Sequence, residues 1–510
     1  LMKPMITYFR ISFLLGMLFL FVSSLHSSPV RLSIKEFGAK GNGIEVETEL
    51  MQQAIDSCSR AGGGTVVIPA GDYLSATLLL KDCVTLYLEA GARLIASDNK
   101  ELYTVKTNIA DTGSKSTPML IYANGAKNIA IKGEGEIVAQ PKYDEFPLAY
   151  SGFIADDIAA AKEADIEMTT WRWREPNVTL VYLSNCMDVQ ISGVRLMHSA
   201  FWTLHIHWCE RVNIDGIYIY SDLEKGVNAD GIDIDGCKNV VIANCIIETA
   251  DDAICMKTTK GDAGHRNCEN VAVSNCILTS SSCALKLGTE SYGDFRYITF
   301  SNCIVRNTNR GLGIFIRDGG GAEHIVFSNI QMECIRKPVG WWGSADAFRF
   351  VVLKRNKQSK IGGIKNVVLN DITAKVEGTS IIAGYAGMQN IEDIKLNNVQ
   401  ICMYPEKTAD KRAKEGLVIQ NAADISIKDS QIRWYEMNKK WSYNYYIQNV
   451  SGVSFHNVVF HSVNGVSPMY IQDSNSVEVK HSRFDVVKKA ACVKKGVVNN
   501  VVADKSNTYK

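Results

Sequence analysis

Apolar and polar residues alternate in short runs along most of the chain, and many runs end at a bend that contains asparagine. Each unit has an alternating run of about four residues, a two-residue bend and a second apolar run. The units recur at intervals of roughly 23 to 31 residues, about the length of one solenoid rung. Their first runs are Asn128–Ile131, Asp188–Ile191, Val212–Ile214, Asn239–Ile242, Asn270–Val273, Tyr297–Phe300, His324–Phe327, Asn366–Leu369, Asp393–Leu396, Asp424–Ile427, Gly452–Phe455 and Ser476–Val479.

This pattern predicts an all-β fold, a right-handed parallel β-helix. The strands are short, helical patterns are rare and the chain has only 10 prolines. A β-sandwich would show Asn-Gly hairpin turns between neighbouring strands, and such turns are scarce. Asparagines at the bends can hydrogen-bond to one another along the helix axis, which explains their recurrence. We therefore expect residues 29–510 to form one solenoid domain.

The opening of that domain, residues 29–96, has a different pattern. Glu47–Ala61 is predicted to be an amphipathic helix, with Leu50, Ala54, Ile55 and Cys58 on its apolar face and three glycines after it. Such a helix can cap the end of the stack, where open strand edges would otherwise pair with other chains.

Residues 1–28 are predicted to be a signal peptide. Lys3 and Arg10 precede the apolar run Ile11–Val22, and a serine-rich stretch follows it. The alternative is a membrane anchor, but the run is short for a bilayer span. We expect an exported protein with no membrane contact after cleavage.

Composition and charge narrow the function classes. The formal net charge is +1, so nothing favours nucleic acid or an anionic membrane as a partner. The chain has 14 cysteines, but several follow an asparagine at the start of an apolar run. We interpret most of them as small buried side chains stacked from rung to rung rather than as disulfides. The sequence gives no indication of oligomeric state.

Two long stretches interrupt the repeat. Pro141–Asn177 and Gly340–Gly363 both contain tryptophans and arginines. In a solenoid, long insertions project from the rungs and commonly build the walls of a binding groove. Aromatic rings beside guanidinium groups suit a sugar face next to a carboxylate, and packing of surface loops is the alternative.

The stretch Asn228–Lys257 carries the candidate chemistry. Asp230 and the pair Asp251-Asp252 lie about one rung apart, so a coiled chain brings the three carboxyl groups side by side. Like charges on one surface raise pKa values and cost stability, which suggests a functional gain. Glycoside hydrolysis uses one carboxylic acid and one carboxylate, about 6.5 to 9.5 Å apart in inverting enzymes. Asp233 and Asp235 share a face of the next strand, and we interpret both as structural.

These residues resemble the motifs of glycoside hydrolase family 28, the polygalacturonase-like enzymes, which include rhamnogalacturonan hydrolases and exo-galacturonidases. Asn228-Ala229-Asp230 is similar to the family's Asn-Thr-Asp motif, and Asp251-Asp252 is similar to its Asp-Asp motif. Lys257 falls where bacterial members carry lysine, and Thr289-Glu290 resembles their Ser-Glu. Phe37–Gly41, Val67–Tyr73 and Phe201–His205 also look like the family, so the resemblance runs from about Ile34 to past Asn398.

Two family motifs are replaced. Ser281–Gly288 occupies the place of the Gly-His-Gly motif, and Gly313-Ile314-Phe315 occupies that of Arg-Ile-Lys. In the family, this histidine and the basic pair recognise galacturonate at the cleavage subsite. Their replacement argues against ordinary polygalacturonase specificity more than against hydrolysis.

The resemblance implies inversion without a metal or other cofactor, with Asp251 as general acid and with Asp230 and Asp252 activating water. Six further residues are candidates for substrate binding: Asn228, Lys257, Lys286, Arg296, Arg317 and Glu290. His205 is either a partner of the site or a satisfied histidine, and for His207 we favour the latter. The expected partner is an acidic, pectic polysaccharide or oligosaccharide.

Two other functions fit the same residues. A polysaccharide lyase on this fold would use a lysine or arginine as base, with Ca²⁺ on the carboxylates. A carbohydrate-binding protein with a decayed site would bind sugar without turnover. The spacing from Asp230 to Asp251 favours the hydrolase.

Overall fold

The computed structural model is a parallel β-helix, as the sequence pattern predicts. It describes residues 30–107, 117–145, 172–175, 177–261, 263–337, 341–409, 411–436, 440–461, 463, 466–485, 493–495 and 499–509. One continuous sheet of 41 strands winds through the described chain, and a two-stranded antiparallel hairpin joins Lys142–Glu145 to Arg172–Glu175. Among the described residues, no helix has the length and apolar character that a membrane span requires.

The winding sheet has three faces, each a stack of parallel strands. The first face consists of Leu78–Leu79, Thr117–Asn124, Thr179–Ser184, Leu204–His207, Ile232–Asp235, Ile254–Thr258, Cys283–Ser291, Arg310–Ile316, Asp346–Val352, Ser380–Ala383, the first part of Glu415–Lys428, the first part of Tyr443–His456, Ser467–Gln472 and Val493–Lys495. Lys106–Thr107 adds a short antiparallel strand to Thr117–Asn124.

The second and third faces lie around the corners from the first. The second face consists of Val30–Ser33, Gly64–Ile68, Val84–Leu88, Lys127–Gly133, Met187–Ser192, Glu210–Asp215, Lys238–Ala243, Cys268–Ser274, Asn475–Lys480, Asn499–Ala503 and parts of the long strands Phe295–Thr308, Gly321–Cys334, Gly363–Val376, Ile391–Met403, Glu415–Lys428 and Tyr443–His456. The third face consists of Asn42–Val46, Gly71–Ser75, Ala92–Ala96, Glu136–Val138, Arg195–Met197, Tyr218–Tyr220, Ile246–Thr249, Ile277–Ser280, the second parts of the long strands up to Met403, Gln431–Trp434, Val459–His461, Arg483–Asp485 and Thr508–Tyr509.

Asparagines at the corners form the expected ladders. Many corner residues have positive φ, a conformation that asparagine tolerates better than most residues do, and Asn239 and Asn270 both have φ near 60° (60° and 58°). The side-chain amide of Asn270 donates to Asn239 on the previous rung at 2.9 Å, and Asn329 donates to Asn302 at the same distance. These bonds satisfy polar groups at the turns and fix the position of each rung.

The interior of the coil is packed with apolar side chains from all three faces. Ring pairs stack from rung to rung, as Phe300 and Phe327 do at 4.9 Å between centroids. Every cysteine that the structure describes is a free thiol, and most of them are buried. The backbone N–H of Cys186 points to the sulfur of Cys209 at 3.3 Å, so the interpretation as stacked thiols is confirmed there.

The N-terminal helix covers Thr48–Arg60, with Glu47 as N-cap and Ala61 as C-cap. It packs on the first strands through Met51, Ala54, Ile55 and Cys58, which are all buried, whereas Leu50 is only half-buried. Met51 therefore takes the central place that the sequence analysis gave to Leu50. Two 3₁₀ turns, Ile34–Phe37 and Lys100–Leu102, complete the helical content of the described chain.

Two predictions lie partly or wholly outside the described residues. The predicted signal peptide, residues 1–28, is one of them, and most of Pro141–Asn177 is the other. The second long excursion is described from Trp341 onward. Trp341 is buried and packs against Val227 and Ala250, so this excursion reaches the stretch that holds the acidic residues.

Candidate active site

Three carboxyl groups meet at the first face because two neighbouring rungs enter it in register. Asp230 precedes strand Ile232–Asp235, and Asp251-Asp252 precedes strand Ile254–Thr258. The two strands pair with Ile232 opposite Ile254. One oxygen from each of the three aspartates lies within 4.8 Å of the others, and all three residues are buried. We call these three residues the carboxylate cluster.

Asp251 is held by backbone amides. Its Oδ2 accepts the backbone N–H of Asn228 at 3.1 Å, and its Oδ1 accepts the N–H of Asp252 at 2.9 Å. Burial raises the pKa of Asp251 well above its ordinary value, and the neighbouring charges of Asp230 and Asp252 raise it further. Asp251 is therefore suited to carry a proton at neutral pH. The backbone N–H of Asn228 is therefore part of the site.

Asp252 has a different environment. Its Oδ2 lies 2.5 Å from the ammonium of Lys286, and its Oδ1 accepts the hydroxyl of Ser282 at 3.0 Å. The two adjacent aspartates therefore have different partners, since backbone amides bind Asp251 whereas a lysine and a serine bind Asp252.

Lys257 neutralises a second group of acids. Its Nζ lies 3.4 Å from Asp230, 3.5 Å from Asp233 and 3.3 Å from Glu290. It also lies 4.3 Å from the centre of the Trp202 ring. Burial raises the pKa of Asp230 well above its ordinary value, the charge of Asp233 raises it further, and Lys257 opposes the rise.

Both candidate lysines of the site have carboxylate partners within the protein. Lys257 and Lys286 were candidates for holding a substrate carboxylate, and the structure brings both into the cluster. Both are buried or nearly so, and their ammonium groups already contact carboxylates of the protein. A buried ammonium between several acids balances their charge before any substrate arrives.

Asp233 is a site residue that the sequence analysis interpreted as structural. It is fully buried, and among the described residues neither of its oxygens accepts a hydrogen bond. Burial raises its pKa well above the ordinary value, and Lys257 opposes that rise. Its pairing position could have revealed it, because the strand after Asp230 carries Asp233 on the outward face opposite His205.

Asp235 and His205 form a supporting layer. His205 is buried, and its Nε2 lies 3.1 Å from Asp235 Oδ2. Burial lowers the pKa of His205, and Asp235 opposes that change. Although burial opposes its ionisation, hydrogen bonds from His205 and Thr259 bring the pKa of Asp235 to about 2. The structural interpretation of Asp235 agrees with this geometry.

Glu290 and two arginines form the next part of the site. Glu290 lies between Lys257 and the guanidinium of Arg355, at 3.3 and 3.4 Å. Burial opposes its ionisation, but these two cations lower its pKa to about 2. Arg355 also makes a two-pronged contact to Asp318 at 2.7 and 2.8 Å. Arg317 is half-buried beside them, and burial and the charge of Arg355 lower its pKa.

Arg355 was not singled out from the sequence. It lies in the excursion Gly340–Gly363, which was predicted to build a binding wall. Arg296 was predicted in the site and is not brought there. Its strand belongs to the second face, and its guanidinium pairs with Asp294 at 2.6 Å and with Glu269 at 3.5 Å. The chain turns a corner between Glu290 and Arg296, so the two residues lie on different faces.

Gly313 lies opposite Lys286 on the next rung. A Cβ atom at Gly313 would lie 2.9 Å from the Phe315 ring and 3.1 Å from the sulfur of Cys283, which is too close, and at an ordinary 3.4 Å from Lys286 Cγ. The replacements at the two family motifs are therefore neighbours in space, and Phe315 and Cys283 are the residues that crowd the position of Gly313.

The comparison with known proteins agrees with this geometry. A family model described as glycosyl hydrolases family 28 matches residues 58–416. The chain is 26% identical over 254 residues to an exo-poly-alpha-D-galacturonosidase of Dickeya chrysanthemi, covering 44% of this chain and 42% of that protein. It is 26% identical over 275 residues to an endo-polygalacturonase of Pectobacterium carotovorum subsp. carotovorum, covering 50% and 64%. The chain thus spans less than two thirds of the length of these relatives.

Solved structures show the same fold. An exopolygalacturonase from Thermotoga maritima superposes with a TM-score of 0.61 at 20% identity, covering 80% of this chain and 92% of that one. A polygalacturonase from Erwinia carotovora subsp. carotovora gives 0.58 at 19% identity, covering 79% and 98%. At this identity the likeness concerns the fold alone, which is the parallel β-helix.

Proposed function

Because the chain belongs to glycosyl hydrolase family 28, we propose that it hydrolyses α-galacturonide-type or related bonds in a pectic polysaccharide such as homogalacturonan or rhamnogalacturonan. The observation that carries this proposal is the unequal pair at the carboxylate cluster. Asp251 has a raised pKa, and Asp252 is paired with Lys286 at 2.5 Å. Glycoside hydrolysis requires a carboxylic acid that donates a proton and a second carboxyl group near it, and Asp251 is suited to the first role.

The roles follow from the environments. Asp251 donates its proton to the glycosidic oxygen as the bond to the leaving sugar breaks. Asp252 and Asp230 hold a water molecule and take its proton as the water attacks the anomeric carbon. Asp230 Oδ1 accepts no hydrogen bond from the described residues, so it offers a site for that water.

The proposed stereochemical outcome is inversion. The two carboxylates that could act as nucleophile contact ammonium groups, at 3.4 Å for Asp230 and 2.5 Å for Asp252. This pairing lowers their nucleophilicity while leaving oxygens that can bind water. Proton NMR of the first-formed product distinguishes the two anomers, and a retained configuration would contradict the proposal.

The acidic group of the substrate requires a cation beyond the two lysines. Arg317 supports this role because it is half-buried beside Arg355 and Glu290. Its planar guanidinium has the shape that binds a carboxylate with two parallel hydrogen bonds. A comparison of free and methyl-esterified oligosaccharides tests this assignment, since equal KM values for both would contradict it.

A lyase is the second candidate, because three oxygens within 4.8 Å of one another could hold a cation. The lysines argue against it. Their ammonium groups already supply positive charge at 2.5 and 3.4 Å from the same carboxylates. The third candidate, a binding protein with a decayed site, does not explain why Asp251 and Asp252 are kept in different environments.

Product analysis on a panel of pectic oligosaccharides, in the presence of chelator, separates these functions. We expect saturated reducing sugars from the wild type and a kcat lower by about 100- to 10,000-fold in Asp251→Asn. Asp371→Asn, at an exposed corner, serves as the matched control and should retain activity. Unsaturated products that disappear with chelator would establish a lyase, and binding without products would establish a decayed site.

We also propose that the protein is exported, as the charged and apolar pattern of residues 1–28 suggests. Fractionation of the producing cells, with N-terminal sequencing of the protein, tests this. Recovery from the cytoplasm with residues 1–28 intact would contradict it.

A further inference from the structure

The first face continues beyond the carboxylate cluster and carries one row of outward-facing side chains along its length. Adjacent strands pair so that the row runs from the cluster towards the C-terminal rungs. Its members, in order, are Lys286, Gly313, Arg349, Ile381, Val418, Tyr446 and Tyr470. Parallel strands lie about 4.8 Å apart, so Tyr446 is about 24 Å from Lys286 along the row.

Tyrosines form a cluster at the far end of this row. The rings of Tyr446 and Tyr470 stack at 4.8 Å between centroids and 9° between planes, and Tyr443 lies 5.2 Å from Tyr470. The hydroxyl of Tyr446 donates to Gln448 at 3.4 Å, and that of Tyr470 donates to Gln472 at 3.1 Å. We call these five residues the tyrosine platform.

The core does not require the tyrosine platform. The alternate residues of the same strands, including Tyr445, Ile447 and Ile471, point inward and are buried. The five residues of the platform are all half-buried and lie on the outward side. Large aromatic rings on the outward side of a sheet are characteristic of surfaces that bind a partner rather than of solvated sheet faces.

The chemistry of the platform fits sugar. A pyranose ring presents apolar C–H faces and a rim of hydroxyl groups. Tyrosine rings can pack against the C–H faces, and glutamine amides can hydrogen-bond to the hydroxyl groups. The five residues of the platform include no carboxylate and no ammonium, and the neighbouring carboxylates are those of Asp473, which accepts the Gln472 amide at 3.1 Å, and Glu415, which lies opposite Tyr443 on the previous rung. The platform is therefore suited to the ring and hydroxyl groups of a sugar unit rather than to an acidic substituent.

The row also connects the platform to the cluster. Ile381 and Val418, the two positions before Tyr446, have short apolar side chains. Side chains of the row therefore project less far from the sheet there than at Arg349 or Tyr446. A glycan chain that crosses the cluster along the helix axis would continue over this low stretch. The family model ends at residue 416, before any residue of the platform, so the platform is a feature of this chain outside the matched region.

We propose that the tyrosine platform is a second glycan-binding site, which holds the distal part of the polysaccharide chain that is cleaved at the carboxylate cluster. This inference rests on the proposed function. It predicts that long chains bind more tightly than short ones, because only a chain that spans about 24 Å contacts both places.

Steady-state kinetics with short and long pectic substrates tests the proposal. Tyr446→Ala and Tyr470→Ala should each raise KM for the polymer by about two- to tenfold, the range expected for one aromatic contact, and leave KM for a disaccharide unchanged. Tyr446→Trp should restore the wild-type value. Tyr435→Ala is the matched control, since Tyr435 stacks on Tyr404 at 4.9 Å and 4° on another part of the coil.

A binding measurement keeps this test separate from the proposed function. Electrophoresis in native gels containing pectin or rhamnogalacturonan reports binding without turnover. Weaker retardation of Tyr446→Ala than of wild type and Tyr435→Ala supports the platform even if no substrate is hydrolysed. Equal retardation of the three proteins, with equal melting temperatures, would overturn it, as would a KM increase that is the same for short and long substrates.

Discussion

Lys286 places a positive charge directly beside the carboxylate cluster. Its ammonium contacts Asp252 at 2.5 Å, whereas the carboxyl group of Asp251 is bound by two backbone amides. Burial raises the pKa values of Asp230 and Asp251, and the charge of Lys286 opposes both rises.

Replacing Lys286 by methionine removes the charge and keeps the length of the side chain. We expect the acid limb of the pH profile of kcat/KM to move to higher pH by one to three units, roughly the effect of one nearby opposite charge, because Lys286 opposes the raised pKa of Asp230, a proposed base. Lys286→Arg should keep the limb near its wild-type position. A lower kcat with an unmoved limb would show that the lysine only fills space beside Gly313.

The buried carboxyl group of Asp233 leads to a prediction of how the stability of the folded protein depends on pH. Its pKa is raised in the folded protein, first by burial. A raised carboxyl pKa contributes stability that is complete below the unfolded value of about 3.9 and is lost as pH rises through the folded value. Asp233→Asn cannot ionise and does not lose this contribution. The melting temperature of the variant relative to wild type should therefore be higher at pH 8 than at pH 4.

The control for this measurement is Asp371→Asn at an exposed corner. It should give the same difference from wild type at both pH values. A difference for Asp233→Asn that does not change with pH would mean that Asp233 is ionised in the folded protein at both values, stabilised by Lys257.

The types of residue in the sequence and their spacing predicted part of this site. Asp230, Asp251 and Asp252 could be found from spacing because register in a coiled chain converts one repeat into one strand separation. Arg355 could not, because its approach to Glu290 depends on the path of a long excursion. Arg296 shows the converse error, since six positions from Glu290 are enough for the chain to turn onto another face.

Among the secondary-structure elements, strands were predictable in kind and approximate position. The run Asn239–Ile247 was expected to form two strands with a bend at Ala243-Asn244, and the structure has strands Lys238–Ala243 and Ile246–Thr249. The alternation of apolar and polar residues specifies which side of a strand is buried, so this part of the fold is local. The positions of the long excursions relative to the rungs depend on contacts between residues that are distant in sequence, so no short pattern of apolar and polar residues predicts them.

The N-terminal helix gives a prediction about assembly. Ile55 lies on the face of the helix that packs on the first strands and is fully buried, whereas Gln53 is exposed on the same helix. Ile55→Asp places an unpaired charge in the interface and should detach the helix, at a cost of several kcal/mol. The uncovered strands would then pair between molecules. Size-exclusion chromatography should show large species for Ile55→Asp and a wild-type profile for Gln53→Asp, and identical profiles would contradict a capping role.

At the scale of the whole molecule, the solenoid explains how one chain can hold both a tightly packed site and a long surface. Each rung packs mainly on its neighbours, so additional rungs lengthen the first face without altering the carboxylate cluster. The rungs after residue 416, beyond the family model, extend the same sheet that carries Asp230 and Asp252.

Net charge gives the last prediction. The chain has 55 basic and 54 acidic side chains, a formal net charge of +1, and the lysines of the site are buried and paired with acids. Such a molecule has little long-range field to attract an anionic polysaccharide, and fields of exposed charges are screened beyond about 8 Å at physiological ionic strength. We therefore expect kcat/KM for an acidic oligosaccharide to change less than about threefold between roughly 50 and 300 mM salt, measured at constant pH. A fall of tenfold or more would show instead that exposed cations guide the substrate, because only interactions accessible to solvent weaken so steeply with salt.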